Sequence, residues 1–378
     1  MKSLSRADNS VFGRWWWSVD HTLLAVLAPI IVIGVIVLLA AGPAAAGRLR
    51  ISNEFYFPIR QMIFLGPAIG AMVAISFLSP LQARRFGVVM FAGAVLLMLA
   101  ALLFSSGING SKRWIDLGLL SLQPSEFAKP GFVIAAAWMM AEGARDPRFP
   151  GGALAMGLYV VLAGLLLMQP DFGQWALVTA VWALMFFIAG WSWLWIALLA
   201  GAGFAALTAG YFLSSHVAAR IDGFFKPGAA ETYQVDRAIE TVANGGVIGR
   251  GDAAAVKGAL PDAHTDFIFA AATEEYGLLI GVLIISLFAV FVARAFWIAA
   301  SRRGLFARCA VTGLAAIIGL QAIINIGVSL RALPAKGMTL PFISYGGSSL
   351  LATGLTVGLI IALTRSHQGV WRRKDIMP

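Results

Sequence analysis

One carboxylate stands directly before apolar residues in the segment 260–269, LPDAHTDFIF. Asp266 is the acid, and a phenylalanine, an isoleucine and a second phenylalanine follow it. Apolar surroundings destabilise the charged form of a carboxyl group, so its pKa rises and it can accept a proton near neutral pH. We therefore predict that Asp266 is a general base. The alternative is that Asp266 is the N-terminal cap or a first-turn acid of the following helix.

Further charged residues cluster between 109 and 130, NGSKRWIDLGLLSLQPSEFAKP. Pro124 and the acid Glu126 are typical of a first helical turn, and Lys129 follows on the same face of that helix. Arg113 is a further cation of this cluster. The alternative for Glu126 and Lys129 is an ion pair that snorkels at the membrane edge, and the residues alone leave both interpretations open.

The segment 334–349, PAKGMTLPFISYGGSS, contains two prolines and three glycines, which predict a looped element rather than a helix. Its hydroxyl groups and glycine amides suit sugar or phosphate oxygens, and Lys336 suits a pyrophosphate. We predict a substrate-binding role for Lys336, Ser344 and Ser348, against the alternative of a plain turn between spans. The segment 169–174, QPDFGQ, favours a turn between two helices over a broken helix that lines a cavity.

Membrane helices must position these groups. Hydrophobic residues make up 60% of the 378 residues and charged residues 12%, against about 45–50% and about 25% in soluble proteins. The mean hydropathy is +0.84. This composition excludes a soluble enzyme and suffices for roughly ten spans of about 20 residues. We predict an all-α polytopic protein with ten transmembrane helices near 22–42, 61–79, 86–105, 127–142, 153–168, 174–190, 191–213, 266–300, 305–330 and 347–363.

The first run is longer than the apolar part of a typical signal peptide, so we predict a retained helix. The eighth run is too long for one span, which predicts that it tilts or projects beyond the hydrocarbon. Basic clusters at 84–85, 302–303 and 372–374 place both termini in the cytoplasm. The net charge of +10 is thus a signal of membrane orientation, because no soluble basic face for nucleic acid is present.

The predicted organisation is a single membrane domain over 1–378. It has cytoplasmic tails at about 1–20 and 365–378 and one long extracytoplasmic loop at about 214–265. Residues 233–242 in this loop, YQVDRAIETV, have the spacing of a short amphipathic helix. Long loops are often functional, so we expect the loop to cover a substrate or contact a partner. The alternative is a tolerated insertion.

Metal and disulfide chemistry has little support in the sequence. The chain has one cysteine and four histidines, and the histidines lack the spacing of a zinc site. We predict no resident cofactor and leave open a divalent cation, Mg or Mn, that assists the reaction.

The polar segments occur in an order that resembles one family. RWIDLG (113–118) with QPSEFAK (123–129), QPDFGQ (169–174), LPDAHTDFIF (260–269) with EEYG (274–277), and PAKGMTLPFISYGGSS (334–349) are similar to motifs of the SEDS proteins (shape, elongation, division and sporulation). The last motif resembles the FtsW cell-division branch more than the RodA elongation branch. Asp262 departs from the pattern, since a glutamate is usual there, and Ala272-Thr273 departs where a small residue and glycine often stand.

The resemblance implies a ten-helix glycosyltransferase that polymerises lipid II into peptidoglycan strands outside the bacterial cytoplasmic membrane, at the division septum. It implies that Asp266 is catalytic. It also implies that the protein's partners are a class B penicillin-binding protein transpeptidase and other division-complex membrane proteins. The predicted substrate-binding residues are Arg113, Gln123, Glu126, Lys129, His264, Thr265, Lys336, Ser344 and Ser348.

Three rival functions remain on the sequence alone. An elongation polymerase of the RodA type would share all of this chemistry. A lipid II flippase would also need buried charges and interrupted spans, although most polar groups here lie on the outer side. A scaffold that recruits division enzymes would need neither Asp266 nor Lys129.

Overall fold

The computed structural model describes residues 10–105, 112–116, 118, 121–213, 218, 233–251, 258, 260–334 and 337–366. Within these residues, ten helices of 17 to 33 residues lie at the positions of the ten predicted spans. They are α2 (His21–Arg48), α3 (Tyr56–Ser76), α4 (Pro80–Phe104), α5 (Pro124–Arg145), α6 (Gly151–Met168), α7 (Phe172–Ile188), α8 (Trp193–Leu213), α10 (Ile268–Ala300), α11 (Leu305–Ser329) and α12 (Gly347–Thr364). Seven of them are long and apolar enough to cross a membrane. The all-α polytopic architecture is therefore confirmed.

Two shorter helices and a small hairpin complete the described fold. Helix α1 (Val11–Ser18) precedes the first span, inside the predicted N-terminal tail, and α9 (Tyr233–Gly245) lies in the long loop. Strands β1 (Ile115–Asp116) and β2 (Ser121–Leu122) pair antiparallel just before α5.

Several helices begin where a side chain can accept a hydrogen bond from the first turn. Asp20 accepts from the Leu23 N–H at the start of α2. Ser79 and Gln82 form a reciprocal capping box at the start of α4, with Pro80 in the first turn. These caps satisfy backbone donors that a helix leaves unbonded at its N-terminus.

The central helices are α11 and α12, whose most apolar windows are 78% buried, against 28–39% for the five other apolar spans. Small residues allow this packing. A Cβ at Gly358 would lie 2.7 Å from the Met72 carbonyl oxygen of α3, and one at Gly313 would lie 2.7 Å from Val133 of α5. These close approaches pack α12 against α3 and α11 against α5.

Helix α10 is kinked at Gly277, where φ is 81° and ψ is 175°. The kink frees two backbone donors, and the long loop satisfies them: the N–H of Leu278 donates to the Gly246 carbonyl (2.9 Å) and that of Leu279 to the Val247 carbonyl (3.3 Å). Helix α9 packs on the same stretch of α10, with Val235, Ala238 and Val242 buried. The over-long eighth run is thus a helix in two parts, and the amphipathic helix predicted in the loop is present.

We expect Gly277→Ala to lower the thermal stability of the purified protein strongly. A side chain is strained at φ 81°, and a Cβ at this position would overlap the Val247 carbonyl and lie 2.5 Å from the Gly249 nitrogen. The measurement is the unfolding midpoint in detergent. Gly70→Ala is the matched control, because a Cβ there meets no heavy atom within 4 Å, and an equal loss in both variants would contradict the packing argument.

Candidate active site

Asp266 lies in the irregular turn that precedes α10. The N-cap of α10 is Phe267, which makes no side-chain capping bond, so the alternative that Asp266 caps this helix is wrong. The carboxyl group is partly exposed and lies beside the loop before α12: a Cβ at Gly337 would be 3.2 Å from its Oδ2. Burial, reinforced by the negative charge of Asp262, raises the pKa of Asp266 to about 7.

Asn325, on α11, binds the backbone of the two segments that meet at this carboxyl group. Its Nδ2 donates to the main-chain carbonyl of Asp266 (2.9 Å) and to that of Met338 (2.7 Å). The side chain is 1% exposed. A buried amide that bridges two segments holds them in one register, so Asn325 sets the distance between the turn at Asp266 and the loop 337–346.

Ser344 makes a second junction between the same segments. Its hydroxyl donates to the Thr265 carbonyl (2.6 Å) and accepts from the Leu340 N–H (2.7 Å), and the Tyr345 N–H donates to the His264 carbonyl (2.9 Å). The Gln61 amide of α3 donates to the Ser344 carbonyl (3.2 Å). The looped element predicted at 334–349 is therefore present in its described part, and Ser344 contributes to the backbone frame.

His264 is packed between aromatic rings rather than open to solvent. Its ring centroid is 4.0 Å from that of Phe57 and 5.7 Å from that of Tyr345. Burial lowers the pKa of His264 to about 4, so it is neutral at physiological pH. The Thr265 hydroxyl is turned back onto the Asp262 carbonyl, at 3.3 Å. The substrate roles of His264 and Thr265 stay predictions.

The charged residues of α5 form a buried triad with α7. Lys129 Nζ lies 2.8 Å from Glu126 Oε1 and 2.9 Å from Gln174 Oε1, and the Gln174 amide donates to the same Glu126 oxygen at 2.8 Å. The three residues are 2 to 5% exposed. The pair therefore does not snorkel at the membrane edge, and that alternative is wrong.

Arg113 joins the hairpin to the turn between α6 and α7. Its guanidinium donates to the carbonyls of Gln169 (2.9 Å) and Pro170 (2.6 Å) and lies 3.6 Å from the Asp171 carboxylate. Asp171 also caps α7 by accepting from the Gln174 N–H. The segment 169–174 is thus the interhelix turn that we predicted, and Arg113 connects it to the hairpin.

The hairpin also reaches the loop before α12, because the Gln123 N–H donates to the Ser348 hydroxyl (3.4 Å). Ser348 lies in the first turn of α12, the helix that follows the loop beside Asp266. The sequence segments around 113–129, 169–174, 264–266 and 337–348 are therefore joined at one end of the bundle. Lys336 lies outside the described residues.

Asn325, Gln61 and Gln174 are not among the site residues predicted from the sequence. Asn325 and Gln61 are polar residues within apolar runs, a signal that would have identified them as candidates. Gln174 belongs to a quoted motif, but only the fold brings it to Lys129. Among the described residues no three His, Cys, Asp or Glu side chains form a group that could hold a metal ion.

The fold and this site define a polytopic α-helical membrane protein with a carboxyl group of raised pKa beside a loop that contacts α3 and α11. The FtsW/RodA/SpoVE model, described as cell cycle protein, matches residues 20–369. The chain belongs to this family, and the resemblance to the SEDS proteins is confirmed.

Similar proteins carry names that point to one reaction. A Caulobacter vibrioides protein named probable peptidoglycan glycosyltransferase FtsW is 41% identical over 98% of this chain and 95% of its own length. A Coxiella burnetii protein of the same name is 34% identical over 92% and 96%. A chain of a peptidoglycan synthase complex that coordinates polymerization and crosslinking matches with a TM-score of 0.79, 29% identity and coverage of 92% and 98%. Thermus thermophilus RodA matches with a TM-score of 0.69, 29% identity and coverage of 92% and 97%.

Proposed function

We propose that this protein is an inverting peptidoglycan glycosyltransferase that polymerises lipid II. The observation that carries the proposal is Asp266, a partly accessible carboxyl group whose pKa burial raises to about 7 and whose backbone Asn325 holds. A base is most effective when its pKa lies near the working pH. The names of the relatives support the same reaction.

In this reaction the 4-hydroxyl of an acceptor N-acetylglucosamine attacks the anomeric carbon of a donor lipid II. Asp266 accepts the hydroxyl proton as the new C–O bond forms. The bond between the anomeric carbon and the phosphate oxygen breaks, and polyprenyl pyrophosphate leaves with the bonding electrons. The anomeric configuration inverts because attack and departure occur on opposite faces of the sugar.

The leaving pyrophosphate requires positive charge. Arg113 is the more accessible of the two described candidates, since its side chain is 29% exposed and that of Lys129 is 2% exposed. We infer that Arg113 contacts the pyrophosphate, together with Lys336. Lys129 acts as a positioning residue, because its ammonium group is engaged by Glu126 and Gln174.

The proposal is tested with purified protein and lipid II in detergent, where there are no membrane leaflets. Formation of polymer, alone or with the cognate transpeptidase, is the expected result. A flippase would yield no polymer under these conditions. Absence of polymer with a folded protein and its partner would therefore overturn the glycosyltransferase assignment.

The initial rate of polymerisation should rise with pH through about 7 and level off above it. The pKa of Asp266 is raised to about 7, and a base works only in its deprotonated form, so below this pH the rate should fall about tenfold per unit. The measurement is the rate between pH 5.5 and 9 at lipid II concentrations well below saturation, where the pH profile reports the pKa of the free protein. A rate that is flat from pH 5.5 to 7 would contradict Asp266 as the base.

We further propose that the protein acts at the division septum with a class B penicillin-binding protein. The relatives named FtsW support the division role, and the similarity to a chain of a peptidoglycan synthase complex supports the partner. The similarity to RodA keeps elongation as the rival. A fluorescent fusion should concentrate at midcell in dividing cells, and a uniform signal along the lateral wall would favour elongation.

A further inference from the structure

Helix α1 is fixed to the bundle at the end opposite to the candidate active site. The Trp15 indole N–H donates to the Ser76 hydroxyl (2.9 Å), and its ring stacks on Phe77 with centroids 5.1 Å apart. The Ser366 N–H donates to the Ser18 carbonyl (2.8 Å). These contacts reach the end of α3 and the end of α12, so the orientation of α1 relative to the membrane spans is set.

In this orientation three large apolar side chains of α1 remain exposed, although the Phe12 ring also contacts Phe77 at the end of α3, with centroids 5.8 Å apart. Val11 is 65% exposed, Phe12 is 59% exposed and Trp17 is 40% exposed. Helix α1 ends three residues before α2 begins at His21, so it lies where the bundle enters the membrane. Apolar and aromatic side chains at this level are stabilised by the boundary between headgroups and acyl chains.

The same end of the bundle is strongly basic. Arg14 in α1 is exposed, and so are Arg85 and Arg303. The other described arginines there are Arg84, Arg145, Arg148, Arg294, Arg302, Arg308 and Arg365. The described acids at this end are Asp20, Glu142 and Asp146. Asp20 is paired with Arg294 at 2.7 Å, so the net charge of this surface is positive.

We propose that α1 and the exposed arginines at the same end of the bundle form a docking surface for anionic phospholipids of the cytoplasmic leaflet. Val11, Phe12 and Trp17 enter the headgroup boundary, and Arg14 and Arg303 contact lipid phosphates. Charge complementarity selects this occupant, because basic residues at the edge of an amphipathic helix attract anionic headgroups. The surface is separate from glycosyl transfer and would anchor the cytoplasmic end of α2 and α3.

The insertion of α1 is tested with a fluorescent probe in nanodiscs. In a Cys309→Ala background, which removes the one buried cysteine, Phe12→Cys is labelled with an environment-sensitive dye. In discs that contain phosphatidylglycerol, the dye should be quenched by brominated lipid and protected from aqueous iodide. A label at Pro147→Cys, in the exposed turn between α5 and α6 at the same end, should show the opposite pattern. Equal iodide access at both positions would overturn the proposal.

The choice of lipid is tested by native mass spectrometry of protein released from mixed phosphatidylglycerol and phosphatidylcholine. The double variant Arg14→Gln with Arg303→Gln should retain several-fold less phosphatidylglycerol than the unmodified protein and the same amount of phosphatidylcholine. Lys112→Gln, which removes an exposed cation at the other end of the bundle, is the control and should retain the normal amount. Unchanged retention in the double variant would overturn the role of these arginines.

Discussion

Asp266→Asn should lower the rate of lipid II polymerisation by about 10²- to 10⁴-fold, the usual contribution of a general base. The amide has nearly the same shape but cannot accept the hydroxyl proton. The main-chain carbonyl that Asn325 binds is retained, so the fold should persist. The measurement is polymer formed per minute by purified protein with its transpeptidase, together with the unfolding midpoint in detergent.

Asp262→Asn is the matched control, since Asp262 is an exposed acid four residues earlier in the same turn. Its φ is 51°, a conformation that asparagine tolerates well. The variant should keep the rate near that of the unmodified protein. Its pH profile should shift to lower pH, because the charge of Asp262 contributes to the raised pKa of Asp266. Normal polymerisation by Asp266→Asn would refute its role as the base.

The second large effect is expected at the buried triad of α5 and α7. Lys129→Met would leave the Glu126 carboxylate buried without its cation, and breaking a buried ion pair in this way costs roughly 3–5 kcal/mol of stability. The side chains are 2% and 5% exposed, so water cannot replace the lost partner. The measurement is the unfolding midpoint in detergent, with Lys112→Met as the control for loss of an exposed lysine.

The double variant Lys129→Met with Glu126→Gln distinguishes a positioning role from a direct one. It removes both charges, so most of the stability should return. If Lys129 only positions α5 against α7, Lys129→Met should lose polymerase activity together with stability, and the double variant should recover part of both. A stable double variant that remains as inactive as Lys129→Met would show instead that the ammonium group acts on the substrate.

Local signals in the sequence determined the membrane architecture and identified Asp266 as the candidate base. Apolar runs of about 20 residues set the ten helices, because a bilayer requires that length. The prolines and glycines of 334–349 set the loop, since they interrupt a helix. The acid before Phe267 and Ile268 was recognisable because a carboxyl next to apolar side chains is costly unless it has a function.

The tertiary structure alone decided which polar residues are available for chemistry. The sequence predicts Ser344 and Lys129 as substrate contacts. In the fold, the Ser344 hydroxyl donates to the Thr265 carbonyl, and the Lys129 ammonium group donates to Glu126 and Gln174. Hydrogen bonds between residues far apart in the chain leave no local pattern. The kink at Gly277 could not be predicted from the sequence for the same reason. The N–H groups that it frees are satisfied by a loop more than 25 residues earlier in the chain.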